Sequence, residues 1–214
     1  MKYLSAGVRW LTAAAILVAI VWQVQDRLVH NVFRPGEYFA YFTIQSSMIA
    51  AVTLAVAGWW RLGGYPETLL LARVRLSVVC YSSVTAIVYN ALLRGLPPAA
   101  ADAGYHWPVI PNEILHVWAP LLIALDFVIT ASSARLRWRS VFAVLLYPVA
   151  WILFSVVRGL ATNWWPYWFL NPTEPGGVVG MLNYVVGIAV FMLILGYSYL
   201  GLIRLSEKVQ TRRL

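Results

Sequence analysis

From Val179 to Ile203 the chain reads VGMLNYVVGIAVFMLILGYSYLGLI, without a single charged residue. About 20 apolar residues let a helix cross the hydrocarbon of a bilayer. In that solvent every backbone N–H and C=O must be satisfied internally, which leaves helices or closed barrels. Five more apolar stretches lie near Trp10–Val24, Phe39–Trp60, Val74–Leu93, Asn112–Thr130 and Val141–Val157. The chain is 61% hydrophobic and 11% charged, and a soluble protein of 214 residues has no interior large enough for so much apolar surface. The expected fold class is an all-α membrane protein, a bundle of six transmembrane helices in one domain spanning 1–214.

Lys2 and Arg9 precede the first apolar run as in a signal peptide, but that run continues through Val21 and Trp22 to Gln25. With no small-residue cleavage site, it reads as an uncleaved first span. Basic residues fix the expected orientation. Lys2, Arg9, Arg61, Arg73, Arg75, Arg135, Arg137, Arg139, Arg204, Lys208, Arg212 and Arg213 fall on one side, and Arg27, Arg34, Arg94 and Arg158 on the other. The positive-inside rule then makes both termini cytoplasmic. It also accounts for the net charge of +8 without nucleic acid as a partner. The outward connections RPGEY, PPAAADAGYHWP and NWWPYWFLNPTEPGG are expected to be ordered turns rich in interfacial aromatics. One cysteine, Cys80, and three histidines offer no disulfide framework and little for a metal site, and no organic cofactor is called for.

Ionisable groups inside a span are functional hypotheses by default. At 1.5 Å of rise per residue, Thr43 and His116 both fall about 6 Å inside the outward ends of their spans. Thr43, Ser46 and Ser47 share one helical face; Glu113 and His116 share another, as do Asn90 and Arg94. Ser155 and Arg158 close the fifth span, and Asn183 lies one turn into the sixth. The inner half holds Asp126, Thr53 and the terminal arginines, so polar chemistry is expected to concentrate outward. A hydroxyl beside an imidazole is the minimum kit for acyl transfer: neutral His116 takes the Thr43 proton, and the alkoxide attacks an ester. Glu113, Asn90 or Asn183 could orient the ring. Arg94, Arg158 or the amides of Gln45 and Asn183 could hold an oxyanion or a fatty-acid carboxylate. Blander roles stand beside these. A spanning Thr often bonds its own backbone, terminal arginines snorkel, and Asp126 reads as structural.

FAYFTIQSS, LHVWAPLLIALDF, and YPVAWILFSVVRG followed by WWPYWFLNP resemble the family of the androgen-induced gene 1 protein and the androgen-dependent TFPI-regulating protein, in its bacterial branch. The resemblance covers the second to fifth spans. It implies a multi-pass protein of the cell membrane that cleaves fatty acid esters of hydroxy fatty acids. It further implies Thr43 as nucleophile and His116 as base, with Ser47 one turn below in the pocket. The alternatives are a non-catalytic lipid or small-molecule carrier with an anion-clamping pocket, and an assembly subunit; oligomeric state stays open.

A fluorescent protein fused to the C-terminus is expected to fluoresce, and alkaline phosphatase fused there to be inactive. The opposite pattern reverses the orientation.

Overall fold

The computed structural model describes residues 2–96, 102–131, 136–174 and 176–211, with side chains as far as Lys208. It contains six helices long and apolar enough to cross a membrane. They are α1 (Lys2–Val29), α2 (Phe42–Gly63), α3 (Leu69–Leu93), α4 (Val109–Thr130), α5 (Trp138–Thr162) and α6 (Gly177–Thr211). No strand occurs among the described residues. Successive helices run in opposite directions, so one end of the bundle carries both termini and the other carries the first, third and fifth connections. These are called the terminal end and the loop end.

Local chemistry sets the boundaries. Thr68 caps α3 by accepting a hydrogen bond from the Leu71 amide at 3.1 Å, an N-cap role worth about 1 kcal/mol. Gly64 ends α2 in the left-handed region at φ 72°, with its amide returned to Arg61 and Trp60, where a side chain would be strained. Asn163 closes α5 in the same way at φ 54°. The first and fifth spans are longer than their apolar cores, because helix continues into their polar flanks. α2 starts three residues later than expected, since Tyr41 is extended and Pro35–Tyr38 forms a separate helical turn. That turn, and a 3₁₀ turn at Trp168–Leu170, also correct the expectation of helix-free outward connections.

α1 and α2 pack most extensively. Small residues allow this: Ala6, Ala13 and Ala19 on α1 and Ala50, Ala51 and Ala57 on α2 are all buried, as expected where dispersion rather than a hydrophobic force drives association. Trp10 donates to the Ala55 carbonyl at 3.1 Å and covers Gly58, where an added Cβ would sit 2.6 Å from the indole nitrogen.

A deeply buried polar cluster lies at the terminal end, where less polar chemistry was expected. Asp126 of α4 bonds Arg9 of α1 at 2.9 Å and Arg75 of α3 at 3.2 Å. Arg9 also donates to the Ala57 carbonyl of α2 at 2.8 Å, and Arg75 pairs with Glu67 at 2.6 Å. The Thr130 hydroxyl accepts from both guanidiniums at 2.6 Å and donates to the Asp126 carbonyl at 2.6 Å. Two arginines and two carboxylates balance, and Arg9 and Arg75 are 3% and 7% exposed. Neither is a loop charge. Both are neutralised inside the bundle, so they lend little to a positive-inside count. Asp126 is structural, as its sequence setting suggested. Arg135, Arg212 and Arg213 lie outside the described residues.

At the loop end, Arg27 bonds Asp102 at 2.9 Å and lies 4.6 Å over the Trp107 ring. Asp102 also takes Arg34, while Tyr105 donates to Asp26 at 2.7 Å. These contacts tie the first and third connections to α1.

Asp126→Ala is expected to destabilise the protein by about 3–5 kcal/mol, because two buried cations lose their shared partner. Thermal unfolding in detergent checks this. A loss below about 1 kcal/mol would show that the cluster carries little of the fold.

Candidate active site

α5 and α6 meet closely only towards the terminal end, where the missing side chain of Gly196 admits Val141; an added Cβ would sit 2.6 Å from Val141 Cγ1. Towards the loop end a cavity of about 110 Å³ opens among α2, α3, α5, α6 and the Tyr167–Leu170 segment. Val84, Val88, Leu93, Val149, Ile152, Val185, Ile188 and Met192 make its walls apolar. Four polar side chains line it as well: Thr43, Thr85, Tyr89 and Tyr167.

Thr43 is the second residue of α2 and 8% exposed. Its position follows from the late start of the helix. The extended Tyr41 leaves the first amides of α2 without partners inside the helix, and Thr43 sits among them. The Tyr167 hydroxyl takes up part of this need, accepting from the Thr43 amide at 3.5 Å. Burial pushes the Tyr167 phenol above its ordinary pKa, against the opposing effect of hydrogen bonds from Thr43 and Phe42. It therefore stays a neutral donor. Around it stand Tyr41 at 5.7 Å and Trp151 at 6.0 Å between ring centroids. Trp151 donates to the Ala40 carbonyl at 2.9 Å, fastening α5 to the start of α2.

Thr85 is 6% exposed, and its hydroxyl has no hydrogen-bond partner among the described residues. An orphaned donor facing an apolar cavity is a place for a ligand oxygen.

His116 does not line the cavity. Its ring stacks on Tyr89 at 3.9 Å and 25°, and Tyr89 is part of the cavity wall. His116 Nδ1 lies 2.9 Å from the Asn112 carbonyl. A carbonyl can only accept, so Nδ1 carries the proton of the neutral ring and Nε2 keeps its lone pair. The Asn112 side chain meanwhile donates to the Tyr89 hydroxyl. One asparagine thus orients both rings.

Both partners of this stack sit on π-helical turns, Tyr89–Leu93 in α3 and Ile114–Trp118 in α4. Pro120 explains the second, since its ring has no N–H for the His116 carbonyl and crowds it, forcing a wider turn. In the first, the Asn90 side chain bonds the Ala86 carbonyl at 2.8 Å and competes with the ordinary ladder.

Thr43 and His116 are not hydrogen-bonded to each other; Tyr89 is the neighbour they share through the cavity wall and the stack. The late start of α2 also removes the basis for equal depth. Thr43 follows its helix start by one residue and His116 by seven, about 1.5 and 10 Å of rise. The supporting residues sort differently from expectation. Glu113 does not orient the ring but pairs with Arg94 at 2.7 Å, and Asn90 accepts from Arg94 at 2.8 Å; both Asn90 and Arg94 are exposed. Asn183 is exposed on α6 and does not line the cavity. Gln45 is held by the Phe39 carbonyl at 2.8 Å and by Tyr147 at 3.1 Å. Ser47 is buried beneath Thr43 without lining the cavity. Arg158 stacks on Trp164 at 4.3 Å.

The arrangement places a hydroxyl at a helix N-terminus, a neutral phenol beside it, an apolar cavity below, and an imidazole with an Nε2 lone pair behind one wall. Comparison with known families, with curated proteins and with solved structures returned no match.

Thr85→Val, which keeps the shape and removes the orphaned hydroxyl, is expected to leave stability unchanged or raise it by about 1 kcal/mol, read as a thermal shift. A drop of more than about 1 kcal/mol would mean the hydroxyl has a partner within the protein.

Proposed function

We propose that the protein is an integral-membrane lipid-ester hydrolase with Thr43 as nucleophile and His116 as general base. The observation that carries this reading is the placement of Thr43. Its hydroxyl lines an apolar cavity large enough for part of an acyl chain, and its amide donates to the buried Tyr167 phenol. The tautomer imposed on His116 and the resemblance of the FAYFTIQSS and LHVWAPLLIALDF segments to the androgen-induced gene 1 protein family support it. By the same resemblance, fatty acid esters of hydroxy fatty acids are the substrate class and a bacterial cell membrane the location.

In the proposed reaction, rotation of the Tyr89 ring out of its stack opens the path from Nε2 to the cavity in which Thr43 stands. Nε2 takes the hydroxyl proton as the oxygen attacks the ester carbonyl. The tetrahedral oxyanion is met by the Tyr167 hydroxyl and the first amides of α2, which supply the donors such charge requires. The intermediate collapses, and the leaving alkoxide takes the proton from the imidazolium. Water then gives a proton to Nε2 and attacks the acyl-threonine. Collapse of this second intermediate releases the acid and returns the proton to Thr43, so one water is consumed per ester. The Asn112 carbonyl holds the imidazole throughout, in the place a carboxylate takes in serine triads.

A second reading is a non-catalytic acyl-lipid binding protein. The absence of His116 from the cavity lining favours it.

Purified Thr43→Ala and His116→Ala are expected to lose hydrolysis of a fatty acid ester by about 10²-fold or more, and Thr43→Ala to lose labelling by a fluorophosphonate probe. Wild-type activity should fall on acidification, as protonation removes the Nε2 lone pair. Labelling that survives Thr43→Ala removes the nucleophile, and wild-type hydrolysis by His116→Ala removes the base. A wild-type protein that binds acyl lipid without turnover establishes the second reading.

A further inference from the structure

Three of the four arginines at the loop end have a carboxylate. Arg27 and Arg34 share Asp102, and Arg94 takes Glu113. Arg158, near the loop end of α5, has none among the described residues. Its guanidinium lies 4.3 Å over the Trp164 ring and beside Gly36, where an added Cβ would come 3.6 Å from Nη2. Its Nη1 is buried without a hydrogen-bond partner among the described residues. Three residues back, on the same helical face, the Ser155 hydroxyl is likewise unpartnered in a residue only 2% exposed. A buried guanidinium nitrogen without an anion, next to an orphaned hydroxyl, is an uncompensated cost that a bound anion removes.

On the same face of α5, Trp151, one turn below Ser155, lines the cavity, while Ser155 and Arg158 stand beyond its lining. Trp151 is also bonded to Ala40, just ahead of Thr43. From Trp151 to Arg158 the helix rises about 10 Å. The unpaired cation therefore stands roughly that far towards the loop-end surface from the level of Thr43.

We propose that Arg158 and Ser155 form a carboxylate site for an acyl ligand whose chain occupies the cavity. The carboxylate accepts from Arg158 Nη1 and from Ser155 Oγ, while the chain runs down past Trp151. The inference rests on the cavity of the proposed function and names its ligand class, but it needs no catalysis.

The test measures binding rather than turnover. The full-length chain carrying Thr43→Ala, in phosphatidylcholine nanodiscs at about pH 9, well above the carboxylate range, is titrated with oleate and with methyl oleate. Oleate is expected to bind at least about tenfold more tightly, the scale of one charge-assisted hydrogen bond. Adding Arg158→Gln should erase the preference while leaving methyl oleate binding unchanged. Arg158→Lys should keep part of it, and Ser155→Ala should weaken oleate binding several-fold. Equal binding of the two ligands by the parent overturns the proposal, as does a preference that survives Arg158→Gln. If Arg158→Gln does not fold, Ser155→Ala decides, and an unchanged preference there overturns it. Nanodiscs containing phosphatidylglycerol give a further arm: loss of the oleate preference there would assign the site to a phospholipid headgroup and overturn the proposal. Failure to hydrolyse esters in a separate assay leaves all these outcomes intact.

Discussion

The bundle is organised by one carboxylate. Asp126 accepts from guanidiniums on two other helices, and one of these reaches a carbonyl of a third. Each guanidinium unpaired in hydrocarbon would cost several kcal/mol, so α1, α2, α3 and α4 are held in one register at the terminal end. A buried ion pair is a poor source of net stability but a strict arbiter of alignment, because sliding a helix by one turn strands a charge. α5 and α6 take no part in it. They rest on the other helices through apolar packing and single hydrogen bonds, such as Tyr147 to Gln45 and Ser83 with Tyr199, and on each other at the notch of Gly196. Nothing of comparable strictness draws their loop-end halves together, and the cavity lies there.

Much of this fold was legible in the sequence because hydrocarbon allows few alternatives. All six spans were placed from apolar runs alone. The errors lie at the ends, where polar flanks continue a helix without an apolar signal, as in Lys2–Arg9, or where an extended residue delays it, as at Tyr41. The misjudged polarity has a different cause. Arg9 and Arg75 stand at span edges, where a sequence cannot separate a solvated loop charge from a buried one. Only the convergence of Arg9, Arg75 and Asp126, separated by up to 117 positions, shows that they are one cluster.

The site was legible in part. Thr43 stood out as a hydroxyl in the first turn of a span, and it does line a cavity. Tyr89 and Tyr167 did not stand out, because an aromatic near a membrane interface reads as belt or core. Asn112 was hidden for another reason, since its contribution to His116 is a backbone carbonyl that any residue would supply. The π-helical turns break the 3.6-residue period used to place side chains on faces, and only Pro120 hinted at one of them. Same-face spacing did pair Asn90 with Arg94, but their third member, Glu113, comes from the next helix and turns the group into an exposed ion pair.

The location of Thr43 at a helix start matters more to the proposed chemistry than its depth. The first amides of a helix lack internal acceptors and carry the positive end of the helix dipole. In water this is worth little; in an apolar cavity the same donors act at low dielectric, where developing negative charge is otherwise most expensive. Tyr167 accepts from the Thr43 amide and, remaining a neutral phenol, still has its own proton to give. An oxyanion formed beside Thr43 then has that proton near it, whereas proton transfer to His116 needs Tyr89 to leave the stack. If the chemistry is as proposed, the slow coordinate is the movement of one tyrosine at a π-helical turn. Selection of the ligand is then a separate matter, settled along α5 by the charge and polarity that line its loop-end face.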